Sequence, residues 1–134
     1  MKITVPKDCD NAPKRRIIRD FNLAFAHADL EAIAEYLHQE VVWTMVGDKE
    51  IVGRDAIIAY LGTLNYQKAT AIELQVIITH GKFASAMGTL SYGKEKIAFN
   101  DTYEFTSAGS SILKKFTSFA IPLKQLSRFQ KTTR

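Results

Sequence analysis

The chain has 134 residues, 46% of them hydrophobic and 24% charged, with a formal net charge of +4. These values suit one domain around one core, and no apolar run is long enough for a membrane-spanning helix. A single cysteine, Cys9, excludes an internal disulfide and fits a reducing, cytoplasmic compartment.

Residues 1–12 read as a flexible leader without the apolar stretch of a secretory signal. Cys9 lies in it as a free thiol, with no His beside it to activate it. The segment "PKRRIIRDFNLAFAHA" predicts a helix over 13–28. Ile17, Phe21, Ala24, Phe25 and Ala28 recur three or four residues apart, and Pro13 suits a first turn. "DLEAIAEYLH" predicts a second helix over 29–38, with Asp29 as N-cap and Leu30, Ile33, Ala34 and Leu37 on one face. "VVWTMV" (41–46) is β-rich and ends in the turn signal "GDKE". "GRDAIIAYLGTL" predicts a third helix over 53–64, striped by Ile57, Tyr60, Leu61 and Leu64.

Beyond residue 68 the pattern is strand-like. Residues 70–80 put Ile72, Leu74, Val76 and Ile78 on one face. Short turns then link strands over 83–92, 97–105 and 112–123, which predicts an antiparallel meander. Residues 124–134 form a basic tail; its Lys124, Arg128, Lys131 and Arg134 equal the whole net charge of +4. Helices first and strands last predict an α+β fold, one domain over 13–123, with three N-terminal helices packed in a strongly curved, mainly antiparallel sheet.

One residue breaks the pattern. In "IAFNDTYEF" the inward set is Ile97, Phe99, Tyr103 and Phe105, and Asp101 sits among them. Burial disfavours the charged form of a carboxyl, so such a group protonates, pairs or lines a wet cavity. A protonated Asp101 donates to a ligand oxygen; an ionised one accepts a proton. Two structural readings stand beside this: a partner among buried Tyr, His or Thr side chains, or a bulge that turns Asp101 to solvent.

The stretch "AFAHADLEAIAEYLHQEVVWTMVGDKEIVGRDAIIAYL" resembles the opening of the nuclear transport factor 2-like superfamily. Its SnoaL-like and ketosteroid isomerase-like members share an Asp-Leu helix start, a strand carrying an aromatic, a Gly turn, and Gly-x-x-Ala-Ile opening the third helix. The resemblance runs from about Pro13 to Leu123. It implies a cone with a pocket in its mouth, and commonly a homodimer through the sheet. "NDTYEF" matches the isomerase strand whose Asp donates to the substrate oxyanion, which makes Asp101 the candidate catalytic residue. Phe21 and Met45 stand where the isomerase has its Tyr and its general-base Asp, so ketosteroid isomerase activity itself is not implied.

Register with the family turns Trp43 and Met45 inward. With Phe21 and Phe99 they form an apolar, aromatic wall suited to a small hydrophobic or aromatic ligand. Tyr60 and Tyr103 are candidate hydroxyl donors. Phe116 and Phe119 have opposite parity on the last strand, and Phe119 is the one expected to face in. His27 and His38 are expected at helix ends and His80 at a turn edge. No metal-ligand spacing, phosphate loop, dinucleotide fingerprint or nucleophile elbow occurs, so the reading carries no metal and no cofactor. Two other readings remain open: a non-catalytic, dimeric interaction module of the same fold, and nucleic-acid binding through the tail with Lys14, Arg15, Arg16 and Arg19. The second lacks any accompanying nucleic-acid motif.

Overall fold

The computed structural model describes residues 1–8, 12–64 and 66–124. The elements follow the order β1 (Lys2–Thr4), α1 (Pro13–Ala26), α2 (Leu30–Glu35), β2 (Leu37–Met45), β3 (Lys49–Val52), α3 (Arg54–Thr63), β4 (Ala71–His80), β5 (Phe83–Tyr92), β6 (Glu95–Phe105) and β7 (Leu113–Leu123). The strands form one curved, open sheet in the order β1-β4-β5-β6-β7-β2-β3. β4 to β7 make the antiparallel meander expected from the sequence, while β7–β2 and β1–β4 pair in parallel.

Local chemistry sets the helix ends. Pro13 opens α1, where its missing N–H is no loss. The chain leaves α1 through Ala28 at φ 55, and Asp29 N–H closes on the Ala24 carbonyl at 3.0 Å. This is a left-handed helix stop. Asp29 then caps α2 by accepting from the Ala32 N–H at 3.1 Å. α1 lies against the sheet with Ile18, Phe21 and Ala24 buried.

The second helix ends three residues earlier than predicted, and His38 lies in β2 rather than at a helix end. Its Nδ1 accepts from the Glu40 N–H at 3.0 Å. His27 caps α1 and His80 is an exposed strand end, as expected. Two short strands lacked a periodic signal. β1 spans three residues, and β3 follows the turn at Gly47 that the sequence showed only as a turn. Cys9 and, apart from Lys124, the basic tail lie outside the described residues.

β4 departs from simple alternation. Its register with β5 shifts between Leu74 and Val76. Ile72 and Leu74 face the core, but the inward residue that follows is Ile77, at 1% exposure, while Ile78 reaches 60%. The extra residue of a β-bulge reverses parity, so Val76 and Ile78 point outward against expectation. Gly88 sits opposite the bulge. A Cβ there would lie 2.1 Å from the Glu73 carbonyl oxygen and 3.1 Å from the Phe99 ring. Only a glycine permits this close approach, which bends the sheet beside Phe99.

Gly88→Ala is therefore expected to destabilise the fold by about 2–4 kcal/mol, since backbone rather than a flexible side chain must yield. Urea denaturation measures this. A loss below about 0.5 kcal/mol would show that the bulge does not need glycine.

Candidate functional site

The bent sheet and α1 enclose a cavity of about 200 Å³. α1 contributes Phe21, Asn22 and Phe25; β2 contributes Trp43; β6 contributes Ile97, Phe99 and Asp101; β7 contributes Phe116 and Ser118. Leu90 and Ala120 complete the lining. The walls are rings in mutual contact. Trp43 stacks on Phe116 at 5.2 Å, and Phe21 meets Phe116 edge-on at 5.5 Å and Tyr103 at 6.0 Å. Such contacts fix ring orientation as well as burying area.

Asp101 shares the inner face of β6 with Phe99 and Tyr103, so the bulge that would turn it to solvent is not found; the buried Tyr partner is present, for one carboxyl oxygen. The residue is only partly exposed, and its Oδ1 is shielded from solvent. Among the described residues, Oδ1 has no hydrogen-bond partner. Oδ2 accepts from the Tyr103 hydroxyl at 3.3 Å. Ser118 lies opposite Asp101 in the β6–β7 register, and its Oγ accepts from Trp43 Nε1 at 3.0 Å. Burial raises the Asp101 pKa to about 7, although the neighbouring Ser118 and Tyr103 hydroxyls, of which only Tyr103 is within hydrogen-bond geometry, oppose that rise. Tyr103 is fully buried, and desolvation with the neighbouring Asp101 charge lifts its pKa well above the ordinary value. It therefore stays a neutral hydroxyl donor at physiological pH.

Of the other predicted residues, Phe21, Trp43 and Phe99 line the cavity. Tyr103 stands behind Asp101. Met45 and Tyr60 are half-buried and pack against the core without lining it. Tyr60 meets the far side of Trp43 at 6.3 Å and carries Lys49 over its ring. Phe119 is a correction: it is 51% exposed on the outer face, and Phe116, at 1%, is the inward ring. In the β6–β7 ladder Phe116 pairs with Tyr103 and Ser118 with Asp101, whereas Phe119 pairs with outward Asn100.

The sequence did not point to Asn22 or Ser118, and it marked Phe25 only as part of the apolar stripe of α1. Asn22 carried a usable signal: it falls four residues after Ile18 and three before Phe25, on the apolar stripe of α1. It is buried, with 7% exposure.

Among the described residues, no three His, Cys, Asp or Glu side chains gather as a metal site, and no helix is long and apolar enough to cross a membrane. Three of the four cations of α1 have structural partners, and Arg16 is exposed. Arg15 donates to the Ile77 carbonyl and pairs with Asp8 at 2.9 Å, Lys14 holds the Ser110 carbonyl at 2.8 Å, and Arg19 pairs with Asp20 at 2.9 Å.

Three helices against a bent sheet, with one acid inside an aromatic hollow, define a cone-shaped α+β protein of the nuclear transport factor 2-like kind. The SnoaL-like domain model matches residues 18–114, more than half of the chain, and the chain belongs to that family. Solved structures agree on the fold. An NTF-2 like protein of unknown function from Burkholderia xenovorans LB400 superposes with a TM-score of 0.72 at 16% identity, over 88% of this chain and 90% of the other. The epoxide hydrolase/cyclase-like enzyme SalBIII, with a role in pyran ring formation in the polyether salinomycin, gives 0.70 at 17%, over 84% and 94%. An LEH-like epoxide hydrolase of M. tuberculosis gives 0.64 at 16%, over 79% and 80%. At these identities the likeness establishes the fold. No curated protein matches this chain significantly.

The raised carboxyl pKa has a consequence for stability. Well below pH 3.8 the group is protonated in both folded and unfolded chains. As pH rises from about 3.8 to about 7 the unfolded chain gives up this proton first, so stability falls across that window and levels above it. Asp101→Asn cannot ionise. It is expected to be more stable than the wild type at pH 8, by up to a few kcal/mol, with the difference shrinking toward pH 4. Urea midpoints of both proteins at the two pH values check this; equal midpoints at pH 8 would count against a buried, raised carboxyl.

Proposed function

We propose that this chain binds a compact apolar or aromatic molecule in the cone and anchors it through an acceptor oxygen at Asp101. The observation that carries the reading is the unpartnered Oδ1 of a shielded carboxyl that lines an aromatic cavity. A buried polar atom without a partner is rare in a folded protein and is readily satisfied by a ligand. The volume fits one aromatic ring with a small substituent, since a dry cavity of about 150 Å³ accepts benzene.

With its pKa near 7, Asp101 gives or takes a proton at neutral pH at little cost. That chemistry serves an isomerase, cyclase, dehydratase or hydrolase working without a cofactor. Ketosteroid isomerase activity is not part of the proposal. Phe21 offers a ring where that enzyme places a hydroxyl, and Met45 packs outside the cavity where it places its base. The enzyme names of SalBIII and the epoxide hydrolase fit this general chemistry but assign no substrate here.

A second reading, a dimeric interaction module, draws on the outer sheet face. Val76, Met87, Phe119 and Ile121 are exposed there on three strands. We propose that this face seats a second copy of the chain. The two readings are compatible, because none of those four residues lines the cavity.

Acetophenone is a suitable probe: one ring and one carbonyl acceptor. NMR shift titration is expected to show saturable binding that weakens as pH rises through about 7, where the carboxyl loses the proton it donates. Asp101→Leu is expected to weaken binding about tenfold at pH 6, the size of one buried hydrogen bond. Asp101→Asn keeps an N–H donor and is expected to bind without pH dependence. Equal affinity for wild type and Asp101→Leu would remove Asp101 from the site. For the dimer, light scattering is expected to give twice the chain mass, and Phe119→Glu to return it to the monomer.

A further inference from the structure

Asn22 makes two hydrogen bonds from one nitrogen. Its Nδ2 donates to the Ile18 carbonyl at 2.9 Å and to the Tyr103 hydroxyl at 3.0 Å. The first bond fixes the amide orientation, because a backbone carbonyl only accepts. The second then makes the Tyr103 oxygen an acceptor. A hydroxyl that accepts there has its single proton left for the other neighbour, Asp101 Oδ2 at 3.3 Å. With Oδ2 accepting, the proton of the neutral carboxyl belongs on Oδ1, the atom without a partner.

We infer that Asn22 is a positioning residue: it sets the direction of the chain Asn22–Tyr103–Asp101 and so keeps the acid's own proton on the free oxygen of a carboxyl that lines the cavity. The inference deepens the proposed function and rests on Asp101 being its working group. It narrows the ligand class to molecules that present an acceptor (a carbonyl, ether or epoxide oxygen) to the acid form.

Without the Asn22 amide, the Tyr103 oxygen becomes free to accept from the carboxyl. The neutral acid then turns inward to Tyr103, and its ionisation becomes harder. Tyr103 is the titratable group in contact with Asp101. Asn22 on α1, Ala86 on β5, Ser118 on β7 and Trp43 on β2 surround it without charge.

The test is the titration of the Asp101 carboxyl carbon by NMR in protein labelled with ¹³C-aspartate. Asn22→Leu is nearly isosteric and is expected to raise the Asp101 midpoint by roughly 0.5 pH units or more, as is Tyr103→Phe. The double variant is expected to match Tyr103→Phe alone, because both break one chain. A wild-type midpoint in Asn22→Leu, or a full additional shift in the double variant, would overturn the inference. A structural role alone would alter melting without moving this midpoint. If Asn22→Leu does not fold, the wild type still decides. Its Asn22 amide protons are expected to be protected from exchange and to show an Overhauser contact to the Tyr103 hydroxyl proton; rapid exchange would overturn the inference. No ligand enters these measurements, so a failure of acetophenone to bind is a separate result.

Discussion

The Asp101 carboxyl group stands between opposed influences. Aromatic surroundings disfavour its charge, and hydroxyl donors favour it. Phe99, Phe21 and Phe116 supply the first, and Tyr103 and Ser118 the second. Burial prevails, and the pKa settles near neutrality. A core built for stability alone would pair both oxygens or replace the acid with an apolar residue. Here Oδ2 has a hydroxyl and Oδ1 has nothing, which leaves one oxygen for a molecule that enters the cone.

That balance depends on the shape of the sheet. The bulge in β4 and the close approach at Gly88 bend the strands next to Phe99, two residues from the acid. The parallel pairing of β2 with β7 brings Trp43 alongside Phe116 and allows its indole to hold Ser118. α1 then covers the hollow with Phe21 and Asn22. One donor chain, Asn22–Tyr103, reaches Oδ2 from α1, and from β2 the Trp43 indole holds Ser118 opposite the carboxyl.

Much of this was legible in the sequence. The two-residue period of 97–105 was enough to place Asp101 inside, because strands β5 and β7 flank β6 in unbroken register around it. The cone and its family followed from the order of the motifs. Parity failed in β4, where one extra residue sent Val76 and Ile78 outward; a bulge leaves no mark in hydrophobic alternation when Ile77 is as apolar as its neighbours. The choice between Phe116 and Phe119 needed the register of β7 against β6, which no property of either phenylalanine encodes. Ser118 was hidden for the same reason. Asn22 was open to the argument used for Asp101, a polar side chain on an apolar face, applied to a helix instead of a strand.

The most direct measurement is the infrared carbonyl stretch of isotopically labelled acetophenone bound in the cavity. A neutral Asp101 donating from Oδ1 lowers that frequency below its value in an apolar solvent at pH 6, and the lowering disappears in Asp101→Leu. A bound carbonyl that keeps its apolar-solvent frequency at pH 6, or one that shifts equally in Asp101→Leu, would contradict the account.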